Sequence, residues 1–511
     1  MADNVTPQPA LARHYFTYML GVFFQKIAGF ALIPVYTAWL ATADYGAVEL
    51  LSTFVGLTAL FVALGVPGAL NKCYHRDCRT DTERAQLVGT SVLFTVPVAV
   101  LLVVAAFFLD HTIAETVFER PEWAPFVRLS LISLALMQTS ALPMELMRTL
   151  GLAGRYVRFS ILQMAVQAAL TILLLVRFHL GVGAVLCGNI AGFGAIQIGT
   201  LGFLWQHSRF QFSWERFKPL AAFGLLLAPV SACAWVVNVS DRFFLQRLTT
   251  DAEVGLYALG YKFGWLVELA LVMPFQKAWN PYFFSVADRE DAPAVLAKVL
   301  TYYVLLIGFG ACVISACGAP AIRLMTRAEY HAAASVIPLI ALSYGLSGLV
   351  MCLSTGLIVI QQTRMVALVA VVGALVNVLL NVALIPGHGM MGAAAATALT
   401  FVITSGLTVC ATARWYPIPI ETGRLLKAVF SVVLFYVLAM GIRFETAQLE
   451  LAVRATALLA LPFFLLLVGF FSDEEMHWLK SQLSWATANG AVWAGRLAAM
   501  RSVSPWGKGP Q

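Results

Sequence analysis

The sequence predicts an all-α, polytopic membrane protein of about 14 transmembrane helices, arranged as two pseudo-symmetric six-helix lobes around a central cavity, with two further C-terminal helices. Three observations lead to this prediction. The composition is too apolar for a soluble chain, apolar stretches of membrane-spanning length recur throughout, and the two halves match each other at one constant offset.

The composition identifies the class. Hydrophobic residues make up 60% of the 511 residues, charged residues make up 12%, and the mean hydropathy is +0.82. A soluble domain carries roughly a quarter charged residues because its surface must meet water. A soluble chain of this length is therefore excluded.

Apolar stretches give the helix count. A bilayer core of about 30 Å requires about 20 mostly apolar residues in each crossing helix. Uninterrupted runs of this length argue against a membrane β-barrel, whose strands show short alternating segments. The predicted segments are 15–40, 48–70, 87–109, 126–149, 157–178, 181–205, 220–247, 255–279, 299–322, 334–360, 365–385, 389–413, 425–442 and 449–471.

Lys and Arg residues indicate the orientation. With an internal N-terminus, 22 of the 33 basic residues fall on the predicted cytoplasmic side, 8 on the outer side and 3 within segments. This asymmetry satisfies the positive-inside rule. We therefore expect both termini in the cytoplasm, and we attribute the basic pI to topology rather than to nucleic-acid binding.

Motifs for a cofactor, a nucleotide or a cleaved leader are not evident. The chain lacks the G-x-x-x-x-G-K-[ST] phosphate loop. Cys73, His75 and Cys78 lack a fourth ligand nearby, so a reduced loop is favoured over a metal site. The apolar stretch before 41–43 is too long for a signal peptide and contains Lys26, which predicts an uncleaved signal anchor.

Matching residues recur at an offset of 209 positions, in equivalent places of the predicted topology. The pairs are Gly46 with Gly255, Asn71 with Asn280, Arg155 with Arg364, and Gly183-Ala184 with Gly392-Ala393. Six helices is an even number, so the repeats share one orientation. The predicted division is an N-lobe at 1–210, a C-lobe at 211–415, extra helices at 416–471 and a cytoplasmic amphipathic tail at 472–511. Parallel lobes favour a transporter; a channel or a membrane-embedded enzyme stays open.

Ionisable residues inside the segments are the first candidate functional residues, because a charge at the bilayer centre costs about 2.5–3.5 kcal/mol. Lys26, which follows Gln25, lies near the middle of the first segment, and Lys262 and Glu268 lie in the eighth. We favour a substrate-facing role for Lys26 and Glu268. An ion pair between the lobes is the alternative.

Amide side chains form stripes on two corresponding segments. Gln163 and Gln167 are four residues apart on the fifth segment, and Asn377 and Asn381 are four apart on the eleventh. Each pair therefore shares one face of its helix. Sugar contact and hydrogen bonding between helices are both open interpretations.

A string of short motifs resembles the bacterial polysaccharide flippases, the Wzx-type O-antigen transporter family, over about residues 10–415. The order and spacing of the motifs carry the resemblance. The motifs are Asp44-Tyr45-Gly46, Arg155-Tyr156, Gly181-Val182-Gly183-Ala184, Asp241-Arg242-Phe243-Phe244-Leu245, Glu253-Val254-Gly255-Leu256-Tyr257 and Tyr261-Lys262.

This resemblance implies the multidrug, oligosaccharidyl-lipid and polysaccharide exporter superfamily. The implied activity is alternating-access transfer of an undecaprenyl-pyrophosphate-linked oligosaccharide across the bacterial inner membrane, for export of lipopolysaccharide or exopolysaccharide. The pyrophosphate and head group would then contact Lys26, Lys262, Arg242 and Gln25. Ion coupling would fall to Glu268 and Asp241. We expect a monomer without catalytic residues or cofactors, with a polysaccharide polymerase and glycosyltransferases as candidate partners.

Two alternatives remain. A cation-coupled multidrug exporter of the same fold would favour an acidic or aromatic cavity, whereas the central charges here are mixed. A membrane glycosyltransferase or ligase would need a large outer domain, and the longest predicted outer loop, 110–125, is short. In the tail, Trp478, Trp485 and Trp493 suggest an interfacial helix, with partial disorder as the alternative.

Overall fold

A computed structural model describes residues 29–63, 65–477 and Ser481, and every regular element among them is helical. Gln25, Lys26 and the tail residues Trp478, Trp485 and Trp493 lie outside the described residues. The α-helices are α1 Ile33–Trp39, α2 Thr42–Val62, α3 Val66–Lys72, α4 Asp81–Phe108, α5 Asp110–Thr116, α6 Ala124–Thr149, α7 Ala153–Phe178, α8 Val182–His207, α9 Trp214–Val239, α10 Asp241–Leu248, α11 Asp251–Gly264, α12 Met273–Val286, α13 Ala292–Met325, α14 Ile337–Val359, α15 Thr363–Trp415, α16 Thr422–Gly441, α17 Ala447–Leu458 and α18 Leu461–Leu467. Short 3₁₀ and π-helical turns occupy Cys73–Asp77, Pro121–Trp123, Glu268–Val272 and Ala328–Val336.

The outside of the bundle is apolar. In the described part of the chain, 11 helical stretches are long and apolar enough to cross a membrane. Large side chains such as Phe108 and Leu467 are 79% and 86% exposed, and apolar surface on this scale belongs in lipid rather than water. The predicted class, an all-α multi-pass membrane protein, is confirmed, while the count of fourteen crossings stays a prediction.

The predicted segments from the second onward all fall on helices, and the boundaries differ by several residues. The second segment, predicted from residue 48, begins at Thr42. The polar residues before residue 48 belong to the helix, because Asp44 lies in the first turn, where a negative charge offsets the positive end of the helix dipole.

The hairpins that close corresponding helix pairs share one backbone geometry. Gly181 precedes α8 with φ 53° and ψ −128°. Gly389 interrupts α15 with φ 52° and ψ −133°, and so divides this element into the predicted eleventh and twelfth segments. Because only glycine adopts this conformation readily, both hairpins require it.

Helices α2 and α11 cross at their first turns through two glycines related by the repeat. A Cβ on Gly46 would stand 2.0 Å from the backbone oxygen of Asp251, and a Cβ on Gly255 would stand 2.0 Å from that of Thr42. Since Thr42 and Asp251 are also 209 residues apart, the contact is symmetric. Glycine on both helices lets the backbones meet. We call this end of the interface between the lobes, around Gly46 and Gly255, the sealed end.

Polar contacts between the lobes reinforce the sealed end. They come from loops and helix ends beside the glycine crossing, and each joins the predicted N-lobe to the predicted C-lobe. They are Arg120 to Asp251 at 3.0 Å, Gln246 Nε2 donating to the Phe118 carbonyl at 2.9 Å, and Tyr330 Oη donating to the Leu40 carbonyl at 3.0 Å.

Helix α9 connects the two lobes. Near its start, Arg216 pairs with Glu83 of α4 at 2.9 Å. Further along, a Cβ on Gly65 would stand 2.4 Å from the Cα of Gly224. Helix α9 also packs on α15 of the predicted C-lobe. The helix that opens the predicted C-lobe therefore rests on both lobes.

The residues after α18 are fixed to α13 and α16 through Glu475. Its carboxylate lies 2.8 Å from Arg424 and 3.4 Å from Lys298. Burial opposes ionisation, but hydrogen bonds from Tyr302 and the Ser472 N–H and the charge of Arg424 outweigh it and lower the pKa of Glu475 to about 2. This carboxylate is therefore ionised at neutral pH and holds the end of the described chain against the bundle.

The glycine crossing predicts a position-specific effect of one methyl group. Gly46→Ala places a Cβ 2.0 Å from a carbonyl oxygen, whereas at Gly56 of the same helix the nearest heavy atom lies 3.7 Å away. Gly46→Ala should destabilise the protein by about 1–3 kcal/mol, measured as the midpoint of thermal unfolding in detergent. Gly56→Ala should be neutral or slightly stabilising. Equal midpoints for the two variants would show that the helices do not meet here.

Candidate functional site

A cavity of about 540 Å³ lies between the lobes, directly inside the sealed end. Apolar side chains form part of its wall, and cationic, carboxylate, amide and phenol groups form the rest. The polar residues that line it are Tyr36, Tyr45, Glu49, Ser52, Gln167, Asn189, Asn238, Arg242, Tyr261, Lys262 and Tyr344.

An ion pair crosses this cavity from one lobe to the other. Lys262 of α11 pairs with Glu49 of α2 and donates a hydrogen bond to the Tyr45 hydroxyl at 2.8 Å. The Lys262 side chain is 37% exposed, while that of Glu49 is only 14% exposed. The Lys262 side chain is therefore partly exposed to the cavity, and its protein counter-ion is largely covered.

Asp241 and Arg242, predicted for separate roles, neutralise each other. Arg242 donates to the Asp241 carboxylate at 2.9 Å, and the Tyr257 hydroxyl donates to the same carboxylate. Asp241 is fully buried and does not line the cavity. Arg242 lines it, but its guanidinium lies 4.3 Å from the ring centre of Tyr261 and its side chain is 8% exposed. Its charge is already matched inside the protein.

Two tyrosines tie three helices together at the cavity wall. The Tyr261 hydroxyl donates to the Asn238 carbonyl at 2.8 Å and lies 2.7 Å from the Tyr344 hydroxyl. These bonds connect α11 to α9 and α14. Phenol oxygens that face a cavity can also exchange hydrogen bonds with a polar ligand.

The first amide stripe divides between the cavity and the helix packing. Gln167 lines the cavity and donates to the Asn189 side chain of α8 at 2.6 Å. Gln163 does not line it; this residue packs against Gly192, whose Cβ would stand 3.0 Å from the Gln163 carbonyl. Of this pair, the structure brings only Gln167 to the candidate site.

The second amide stripe is buried between helices. Asn377 donates to the Thr400 hydroxyl at 3.3 Å, and Asn381 donates to the Asn377 side chain at 3.0 Å. Both asparagines are fully buried and neither lines the central cavity. In this conformation they join the two helical parts of α15, and a sugar has no access to them.

Glu268 opens the π-helical turn between α11 and α12. Turns of this kind are frequent at functional sites. Within the described residues Glu268 forms no ion pair, and it does not line the cavity. Lys26 and the neighbouring Gln25 lie outside the described residues, so the substrate-facing role of Lys26 and Glu268 stays a prediction and their ion pair stays the alternative.

Sequence reasoning missed Glu49 and the residues around it. The second predicted segment began at residue 48, which left Glu49 at a span edge, where carboxylates are ordinary. With a helix from Thr42, Glu49 becomes a carboxylate two turns inside a membrane helix, the pattern that drew attention to Lys262. Tyr45 belongs to the Asp44-Tyr45-Gly46 motif, but the sequence did not assign it to the site.

Cys73 and Cys78, the cysteine pair on either side of His75, are buried free thiols. Burial and a hydrogen bond with Asp77 raise the pKa of the Cys73 thiol to about 12, so this thiol is neutral at pH 7. The His75 ring donates to the Thr149 carbonyl at 3.1 Å. Among the described residues, no group of three or more His, Cys, Asp or Glu could hold a metal.

These features define a multi-pass membrane protein with a polar cavity between two helical lobes. The chain belongs to the polysaccharide biosynthesis protein family, whose model matches residues 11–287. It is also 22% identical over 280 residues to an uncharacterized membrane protein of Haemophilus influenzae. This match covers 52% of the present chain and 64% of the relative, less than two thirds of its length.

Solved structures share the fold at low sequence identity. The lipid II flippase MurJ, in an inward closed conformation, superposes with a TM-score of 0.70 at 13% identity over 88% of this chain and 98% of MurJ. An inward-facing MATE multidrug transporter gives 0.57 at 12% identity over 82% and 96% of the two chains. A mutant of the Vibrio cholerae MATE transporter VcmN gives 0.52 at 15% identity over 78% and 95%. These likenesses establish the fold.

The ion pair across the cavity predicts strong coupling between its members. Lys262→Met or Glu49→Gln alone leaves one unpaired charge in a poorly solvated place and should destabilise the protein by about 1–3 kcal/mol. The double variant should recover at least half of the summed loss. The measurement is a double-mutant cycle of thermal unfolding. Additive effects would mean that the two side chains do not interact.

Proposed function

We propose that this protein flips an undecaprenyl-pyrophosphate-linked oligosaccharide across the bacterial inner membrane by alternating access. The observation that carries the proposal is the cavity between the lobes, which is closed at the sealed end and lined by cationic, amide and phenol groups together with the Glu49 carboxylate. Such a lining suits a pyrophosphate with attached sugars inside an otherwise apolar bundle. Membership of the polysaccharide biosynthesis protein family and the fold shared with the lipid II flippase MurJ support this proposal.

Lys262 is the residue we assign to the pyrophosphate. Its side chain lines the cavity and is 37% exposed, whereas Arg242 is enclosed by Asp241 and aromatic rings. A lysine binds phosphate as a point charge and needs no fixed geometry. A pyrophosphate that entered the cavity would compete with Glu49 for Lys262. Gln167, Asn189 and the cavity tyrosines would then meet the sugars.

This competition links binding to the motion of the lobes. The Lys262–Glu49 pair and the glycine crossing join the same two helices, α2 and α11. Substrate that takes Lys262 from Glu49 removes one of the interactions that hold the sealed end closed. With the orientation indicated by the basic residues, the sealed end is periplasmic, and its opening releases the head group to the outer leaflet.

The proposal also includes the position of the termini, the path of the lipid tail, ion coupling and partners. Both termini lie in the cytoplasm, the polyprenyl tail stays in the lipid, and the protein acts without catalysing a covalent step. Glu268 is the better candidate for ion coupling, because Asp241 is already paired with Arg242. Lys26 and Gln25 remain candidates for the head group, and a polysaccharide polymerase and glycosyltransferases remain candidate partners of a monomer.

A deletion strain tests the proposal. Loss of the protein should cause undecaprenyl-pyrophosphate-linked repeat units to accumulate in the inner leaflet, measured by mass spectrometry of extracted lipids together with surface polysaccharide. Complementation with Lys262→Met should lower export about tenfold or more, because a charged hydrogen bond is lost. The exposed Lys218→Met serves as the matched control and should restore export.

The double variant Glu49→Gln/Lys262→Met separates transport from folding. It should be present in the membrane at the wild-type level and still fail to export. Normal export by this variant would remove Lys262 from the substrate path. If lipid-linked units are handled normally in the deletion strain while drug sensitivity rises, the multidrug-exporter alternative replaces the flippase.

A further inference from the structure

A second cavity, of about 490 Å³, lies on the lipid-facing side of α7 and α8, apart from the central cavity. Nearby side chains of α8 point outward, and Ile198 and Trp205 are 75% and 74% exposed. We call this cavity the arginine groove. It is defined by Arg155, Arg158, Phe159, Leu162, Gly199 and Gly202.

The rim of the groove carries positive charge without a counter-ion. Arg155 and Arg158 are exposed on the first two turns of α7, and neither pairs with a carboxylate in the described part of the chain. Among the described residues, Arg158 donates only to the Gly154 carbonyl, at 3.2 Å. The first turn of α7 has no acidic residue. Because a helix start is itself positive, two arginines there create a place that favours an anion.

The floor of the groove is apolar and has free space. The Phe159 ring packs on Gly199, where a Cβ would stand 2.6 Å from it. At Gly202, a Cβ would meet nothing within 4 Å. Together with Leu162, these residues leave a channel that an acyl chain can enter from the surrounding lipid. A phosphate alone would use the rim and leave this floor exposed.

We propose that the arginine groove binds an anionic phospholipid, with its phosphate on Arg155 and Arg158 and an acyl chain along the floor. Basic grooves at the cytoplasmic ends of membrane helices have this use. The depth in the inner leaflet rests on the orientation given under the proposed function, whereas the binding chemistry does not depend on transport.

The C-lobe does not repeat the residues that define the groove. At the repeat offset of 209 residues, Arg364 matches Arg155, but Ala367 replaces Arg158. Thr408 and Ala411 replace the two glycines of the floor. The chain therefore contains its own control: a single arginine at an equivalent helix start, without the second charge and without the free space.

The test uses purified full-length protein in an uncharged detergent. Thermal unfolding is followed during titration with dioleoylphosphatidylglycerol, with dioleoylphosphatidylcholine or with inorganic phosphate. The phosphatidylglycerol should stabilise the protein at the lowest concentrations. Arg155→Gln/Arg158→Gln should weaken its apparent affinity about tenfold or more, and Arg364→Gln should leave the affinity unchanged.

A second variant tests the floor without changing charge. Gly202→Leu fills the free space and should weaken phosphatidylglycerol binding. Gly406→Leu is the matched control on α15, since a Cβ there also meets nothing within 4 Å. Unchanged affinity in the double arginine variant or in Gly202→Leu would overturn the proposal. Equal stabilisation by phosphatidylcholine or by inorganic phosphate would overturn it as well.

Discussion

The close approach of α2 and α11 is the constraint on which the rest of the structure depends. Gly46 and Gly255 have no side chain, so the backbones of these two helices pack directly against each other. The contact is symmetric, because each glycine packs against the backbone oxygen of the other helix. Together the two contacts close one end of the interface between the lobes. Side chains one to two turns further along the same helices then face each other, and Lys262 reaches Glu49. The cavity is the space left between helices that touch at one end.

The charges in this space differ in how they are held. Asp241 and Arg242 satisfy each other beneath Tyr257 and Tyr261, so they fix α10 against α11. The Lys262 pair is different, because its two members belong to different lobes and its cation is partly exposed to the cavity. An ion pair of this kind costs desolvation and returns little net stability. Under the proposed function, the substrate replaces Glu49 as the partner of Lys262, and this exchange removes one contact between the two lobes.

Much of the fold could be predicted from the sequence, because long apolar stretches indicate membrane helices directly. The offset between Gly46 and Gly255 also indicated the lobes. The pattern could not reveal that these glycines touch, since that contact depends on the angle between helices distant in the chain. The site was predicted less completely. Lys262, Arg242 and Gln167 line the cavity, but Glu49 was hidden by a boundary placed a few residues late. Asn377 and Asn381 share a helix face as predicted, and only packing showed that this face is buried.

The central claim is that substrate opens the sealed end by taking Lys262 from Glu49. Spin labels at Ala43 and Ala252, which begin α2 and α11 and are 209 residues apart, would report the separation of the two helices in a variant without native cysteines. Pulsed electron–electron double resonance on the protein in lipid nanodiscs should give one short distance between the two spin labels without substrate. A second, longer distance should appear when undecaprenyl-pyrophosphate-linked oligosaccharide is added, and Lys262→Met should abolish this response. A single distance that substrate leaves unchanged in the wild-type protein would contradict the account.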